Sequence, residues 1–164
     1  MRIIAIDPGF ERVGIAILEN NQQPTTNNLQ QRLIYSDCFK TSIKLPLPER
    51  ILLIGSEIKR VLKKYGPAAL AIETLYFTKN KKTAMAVSEA RGVIIYECTR
   101  SGLPVFEYTP LQVKVAVTSY GKATKNQVIS MTKKLIRIDD SITSDDEIDA
   151  IAIGLTHFAI QPKS

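Results

Sequence analysis

This 164-residue sequence has no tryptophan, one histidine, two cysteines and no long apolar run. Its two cysteines, Cys38 and Cys98, lie far apart and fit no CxxC-type spacing. That excludes a zinc centre and a disulfide framework and predicts free thiols in a reducing compartment. No apolar stretch approaches the roughly 20 residues needed to span a bilayer. The opening MRIIAID carries an acid where a secretion signal would continue its apolar core, so a cytoplasmic location is expected. Acids are also in deficit: 16 Asp and Glu stand against 22 Lys and Arg, giving a net charge of +6 and a pI near 9.3. Such a balance favours polyanionic partners, nucleic acid ahead of an anionic membrane surface. Apolar residues are plentiful at 45%, enough for one sizeable core, and residues 1–164 are read as a single domain.

Along the chain, RIIAID (2–7) runs into an Asp-Pro-Gly turn, and RVGIAILE (12–19) follows, rich in β-branched residues. This is a predicted β-hairpin. Residues 20–31 hold eight Asn or Gln in twelve positions and read as a solvated loop without chemistry. Strand character resumes over 32–42. Ile51, Ile54, Ile58, Val61 and Leu62 then recur at helical spacing until Gly66-Pro67 stops the pattern. AALAIETL (68–75) is apolar enough for a strand buried on both faces. A helix is expected from about 82 to 100, a fifth strand at 104–109, and shorter helices near 110–117 and 124–137. Ser144, with Glu147 three residues on, predicts a capping box that opens the last helix. The order βββαβαβααα implies an α/β domain with a mixed five-stranded sheet flanked by helices.

Chemistry is expected from carboxylates at the ends of these apolar elements. Asp7 and Glu73 each close a strand, and Asp146 and Asp149 are three apart on one face of the last helix, beside AIAIGL, which must enter the core. Ionised carboxylates crowded near a core repel by roughly 4 kcal/mol per pair at about 4 Å and an effective dielectric of 20. A cluster of them needs cations. Oxygen donors without His or Cys suit Mg²⁺ or Mn²⁺, and two such ions can clamp a phosphodiester for hydrolysis. Each acid alone has a plainer role: Asp7 as a turn former, Glu73 as a partner of a lysine, and Asp145, Asp146 and Glu147 as complements to a helix dipole. The metal reading rests on the set.

Positive charge is segregated beside these acids. Tyr108 to Ile138 holds Lys114, Lys122, Lys125, Lys133, Lys134 and Arg137 with no acid, and Thr74 to Ser88 holds Lys79, Lys81 and Lys82, again with none. Such runs suit phosphate contacts, although solvated helix faces also carry lysines. Tyr76 and Phe77 follow the Glu73 strand, where an aromatic ring could stack on an unpaired base; a core role for Phe77 fits equally. His157, eight residues after Asp149 and so about 12 Å along the helix, is expected to be packed or at the surface rather than to share a metal.

IDPG (6–9) with Gly14, AIE (71–73) with KN (79–80), EARG (89–92), LPVFEY (103–108) with QVK (112–114), and DEIDAIAI (146–153) with TH (156–157) occur in this order over nearly the whole chain. The series resembles the crossover (Holliday) junction endodeoxyribonuclease RuvC family. The resemblance implies an RNase H-like fold, a homodimer, and paired cuts in four-way DNA junctions during recombination and repair. It implies Mg²⁺ dependence, two ions per subunit with Mn²⁺ as a substitute, and work beside the branch-migration proteins RuvA and RuvB. By position, Asp7, Glu73, Asp146 and Asp149 match the family's metal-binding acids. Lys114 and Lys125 match basic residues that support DNA contact or catalysis, and Tyr76 falls where the family has a base-contacting aromatic. Asp145 competes with Asp146 for the ligand role. Two other readings are a non-catalytic branched-DNA or RNA-binding RNase H-like module, and an actin-like ATPase or sugar kinase. The latter needs a second lobe for which this length leaves no room.

Overall fold

A computed structural model describes residues 1–20, 31–75 and 81–161. The elements are β1 (Arg2–Asp7), β2 (Arg12–Asn20), β3 (Gln31–Lys40), α1 (Leu47–Tyr65), β4 (Leu70–Glu73), α2 (Lys81–Arg100), β5 (Val105–Tyr108), α3 (Pro110–Thr118), α4 (Lys125–Leu135) and α5 (Asp145–Ile160). The expected order is therefore present in full, with α4 ending two residues early. The Asn/Gln-rich loop lies outside the described residues except for its two ends. No helix among the described residues is long and apolar enough to cross a membrane.

The five strands form one sheet in the order β3-β2-β1-β4-β5. The β1–β2 and β2–β3 pairs are antiparallel, as hairpins require, whereas β1–β4 and β4–β5 are parallel and reached across helices. Strand alternation then sorts the side chains. Ile4, Ile6, Val13, Ile15, Ile17, Leu70 and Ile72 turn toward α1 and α2, where Ile54, Ile58, Val61, Ala90 and Ile94 complete one core. Ile3, Ala5, Ala16, Leu18, Ala69 and Ala71 turn the other way, toward α3, α4 and α5.

The second face is built from small residues because α5 lies almost in contact with the sheet. A Cβ on Gly154 would come within 2.5 Å of Leu18 Cδ1, and one on Gly14 within 2.0 Å of the Asp146 carbonyl oxygen. From Ile148 to Phe158 every α5 residue except Asp149 is buried, so this helix is a central strut, covered nearly all round.

One expected detail differs. Ser144 is the N-cap of α5 but makes no capping hydrogen bond, and the Glu147 carboxylate instead accepts from Ser36 Oγ at 2.8 Å. A partner on β3 has replaced the local one. Capping boxes form instead at α3, between Thr109 and Gln112, and at α4, between Thr124 and Gln127.

Candidate active site

The alternation that builds the core also aims the acids. Asp7 follows Ile3 and Ala5 on the α5 face of β1, and Glu73 follows Ala69 and Ala71 on the same face of β4. The parallel register pairs Ile6 with Ile72, so the next residues, Asp7 and Glu73, end neighbouring strands side by side. Carboxyl ends of parallel strands are where open α/β sheets leave room for ligands. Here α5 brings Asp149 to the same place, and α3 and α4 bring lysines. The resulting cleft, of about 220 Å³, is lined by Asp7, Glu73, Asp149, Lys114 and Lys125, over an apolar floor that includes Val113, Val128 and Ile153.

The electrostatics are those of carboxylates held together in a dry place. Burial pushes the Asp7 carboxyl up to about 7, reinforced by Glu73, Asp149 and Asp146, with Lys125 opposing. Glu73 is likewise raised to about 7, by burial and then by Asp149. Asp149 is raised by burial, and Lys125 works against the shift. The Lys125 ammonium bridges Asp149 at 3.3 Å and Asp145 at 3.2 Å, so a cation already sits among these acids.

Asp146 stands at the margin. Its carboxylate meets Arg12 Nε at 3.3 Å and Cys38 Sγ at 3.5 Å. It still contributes to the raised affinity of Asp7 for its proton. Asp145 is more exposed, its side chain 58% accessible against 22% for Asp146.

Among the described residues, no three His, Cys, Asp or Glu side chains already converge into a metal cage. The acids line the cleft, and the Lys125 ammonium offsets part of their mutual repulsion. Their donor set still fits a hard divalent ion: all oxygen, partly dehydrated, mutually repelling, and paired in part with the Lys125 ammonium.

Of the residues singled out by sequence, Asp7, Glu73, Asp149, Lys114 and Lys125 are thus brought together, and Asp146 lies beside them. Lys122 is exposed outside the cleft lining. Lys81 and Lys82 begin α2, and Tyr76, Phe77 and Lys79 lie outside the described residues. His157 is packed as expected: it is buried, its Nδ1 2.9 Å from the Tyr108 hydroxyl, and burial lowers its pKa. Both cysteines are free.

Sequence reading assigned no site role to Arg12, Cys38 or Arg91. Arg91 on α2 donates through Nε to the Glu73 carbonyl at 3.1 Å and pairs with Glu107 at 2.6 Å, tying the ends of β4 and β5 together. Nothing local in the sequence marks that tie. Arg12 and Cys38 were findable from strand parity, since both share a face with Gly14.

Residues 3–157 match the family model described as crossover junction endodeoxyribonuclease RuvC. The chain is 41% identical over 157 residues to the crossover junction endodeoxyribonuclease RuvC of Finegoldia magna, covering 96% of this chain and 92% of that one. It is also 41% identical to that of Brevibacillus brevis, covering 96% and 91%. Among solved structures, T. thermophilus RuvC in complex with Holliday junction substrate superposes with a TM-score of 0.86 at 30% identity, covering 96% of this chain and 93% of that one. The yeast mitochondrial Holliday junction resolvase Ydc2 shares the fold, with a TM-score of 0.66 at 12% identity, covering 96% of this chain and 78% of that one. With an RNase H-like sheet and acids converging at the ends of its central parallel strands, the chain belongs to the crossover junction endodeoxyribonuclease RuvC family.

Proposed function

We propose that this protein is an endonuclease that resolves four-way DNA junctions by paired, symmetric phosphodiester hydrolysis, acting in the cytoplasm as a homodimer of single nuclease domains (residues 1–164). The observation that carries this reading is the convergence of Asp7, Glu73 and Asp149 with Lys114 and Lys125 on one cleft, on the face where alternation sends them. Asp7, Glu73, Asp146 and Asp149 would hold two Mg²⁺ per subunit, for which Mn²⁺ would substitute. When bound, these ions supply the positive charge and Lewis acidity that phosphodiester hydrolysis requires.

The chain's own groups do the rest. The apolar floor of Val113, Val128 and Ile153 excludes water from one side of the acids and strengthens every charge interaction in the cleft. Lys114, presented by a capped helix, faces the same space and stabilises negative charge as it develops on the phosphate. Lys125, which bridges Asp149 and Asp145, would also be placed to meet a phosphate in the cleft. Lys79, Lys81, Lys82 and Lys122 contact the DNA backbone, and Tyr76 or Phe77 stacks on a base unpaired at the crossover. The protein works beside the branch-migration proteins RuvA and RuvB.

A synthetic four-way junction and a linear duplex of the same sequence, incubated with the protein and Mg²⁺, test the proposal. Paired cuts in opposed strands of the junction alone are expected, with none after chelation. Junction binding without cleavage would assign the protein to non-catalytic recognition instead.

A further inference from the structure

The lysines that line the acid cleft, Lys114 and Lys125, are carried by α3 and α4. Strands β2 and β3 carry a second basic pair. Arg12 opens β2 and Lys40 closes β3, and the antiparallel register sets them directly opposite each other. Their side matters as much as their adjacency. Gly14, two residues on from Arg12, meets the backbone of Asp146, and Ser36 and Cys38, of the same parity as Lys40, touch Glu147 and Asp146. Arg12 and Lys40 therefore both project on the α5 face of the sheet, just past the amino end of α5.

Like charges directly across an antiparallel pair are unfavourable unless an anion lies between them. Asp146 answers only part of that charge. Its carboxylate lies 3.3 Å from Arg12 Nε, and the Arg12 side chain stays 63% exposed. Lys40 is exposed and has no ion pair among the described residues. Phosphates presented between them would relieve the repulsion.

The turn that carries Arg12 is itself held in place. Thr41 Oγ1 donates to the Phe10 carbonyl at 2.7 Å, the Thr41 amide donates to the Glu11 carbonyl at 2.9 Å, and buried Arg50 donates to Thr41 Oγ1 at 2.9 Å. Arg50 also lies 4.7 Å from the centre of the Phe10 ring. Such bracing means that Arg12 gives up little backbone freedom when it engages a ligand.

We infer that Arg12 and Lys40 form a phosphate-binding pair on the β2–β3 side of the acid cleft, so that a DNA strand crossing the acids is held by its backbone on both sides. The inference rests on the nuclease reading of the cleft and adds to it a strand path across the sheet edge.

The test is equilibrium binding with Ca²⁺ present, measured against salt concentration on both a four-way junction and a linear duplex. Arg12→Ala with Lys40→Ala should lower the magnitude of the log–log salt slope by about 2, at about 0.9 per phosphate contact, and weaken binding by about tenfold or more. Lys40→Ala alone leaves the Arg12–Asp146 pair intact and should account for about half of the change in slope. Arg12→Lys should retain the parental slope. Lys59→Ala with Lys63→Ala, on the outer face of α1, removes the same charge far from the cleft and should change the slope little. A double variant whose slope and affinity match that remote control would overturn the inference while leaving the nuclease reading intact. A parental protein that binds junction no better than duplex would count against the nuclease reading, and the duplex slopes would still test Arg12 and Lys40. Thermal unfolding within about 2 °C of the parent is expected for all variants, because these side chains are largely exposed.

Discussion

Two neighbouring aspartates show how much one residue of helix register decides. Asp145 and Asp146 can both share a face with Asp149, at four and three residues' spacing. In the fold Asp145 is the more exposed, bridged to Lys125. Asp146 is mostly covered, under Gly14 and close enough to Asp7 to raise its pKa. Asp146→Asn should therefore nearly abolish Mg²⁺-dependent cleavage without unfolding the protein. Asp145→Asn should cut near the parental rate and lose at most about 0.3–1 kcal/mol of helix-end stabilisation. Cleavage assays and melting curves on the two variants check this, and reversed behaviour would exchange their roles. The tyrosine following the Glu73 strand is read out on substrates. Tyr76→Ala should slow cutting of intact junctions about tenfold more than of junctions with bases already unpaired, since stacking contributes roughly 1–3 kcal/mol per base. Equal losses on both substrates would instead indicate a packing role.

At the scale of elements, the site depends on the close approach of α5 to β2. Gly14 is the only width of residue that the gap accepts, because a methyl group there would run into the Asp146 carbonyl. Backbone cannot rotate away as a side-chain tip can. Gly14→Ala should cost about 1–3 kcal/mol or more and shift the amino end of α5, so that cleavage falls further than stability alone explains. Denaturant unfolding beside cleavage under conditions where the variant is fully folded separates the two. Parental activity from a folded Gly14→Ala protein would show that the acids tolerate displacement. The sequence marked the helix starts unevenly for a related reason. Thr109 and Thr124 form capping boxes with glutamines, whereas Ser144 and Glu147, which have the matching pattern, do not. Ser36 on β3 offered Glu147 a tertiary partner that no local pattern contains.

For the whole molecule, the raised acids tie stability to pH and to metal. Asp7 and Glu73 titrate near 7 in the fold, against ordinary values of 3.8 and 4.5. The metal-free fold thus favours their protonated forms. That stabilisation is fully present below about pH 4 and is lost as pH rises through about 7. Metal-free protein should melt at least about 3 °C lower at pH 8 than at pH 5.5, from roughly one pKa unit of retained coupling. Mg²⁺ should raise the melting temperature more at the higher pH, and Asp7→Asn should flatten both dependences. A melting temperature that rises with pH in metal-free protein would contradict the shared burial of these acids. A second whole-molecule expectation concerns assembly. A junction presents two equivalent strands, so light scattering at micromolar concentration should report a dimer. A strict monomer that still makes paired symmetric cuts would refute it.

The sequence by itself determined the order of the ten elements, the hairpin, the mixed sheet and the carboxylate set. These follow from apolar periodicity, turn residues and short motifs, which are properties of neighbours along the chain. It also placed Asp7 and Glu73 each at the end of a strand, because apolar runs and the turns that close them are local features. Only the tertiary structure decided what those acids meet. The parallel β1–β4 register sets Asp7 beside Glu73, a pairing between residues 66 positions apart. The passage of α5 over small residues delivers Asp149 to the cleft and leaves Asp146 against Arg12 and Cys38. Lys125 crosses from α4 to bridge two acids of α5. Each of these depends on distances between elements, set by side-chain volumes at the contacts, and a one-dimensional pattern carries no information about them until the layers are packed.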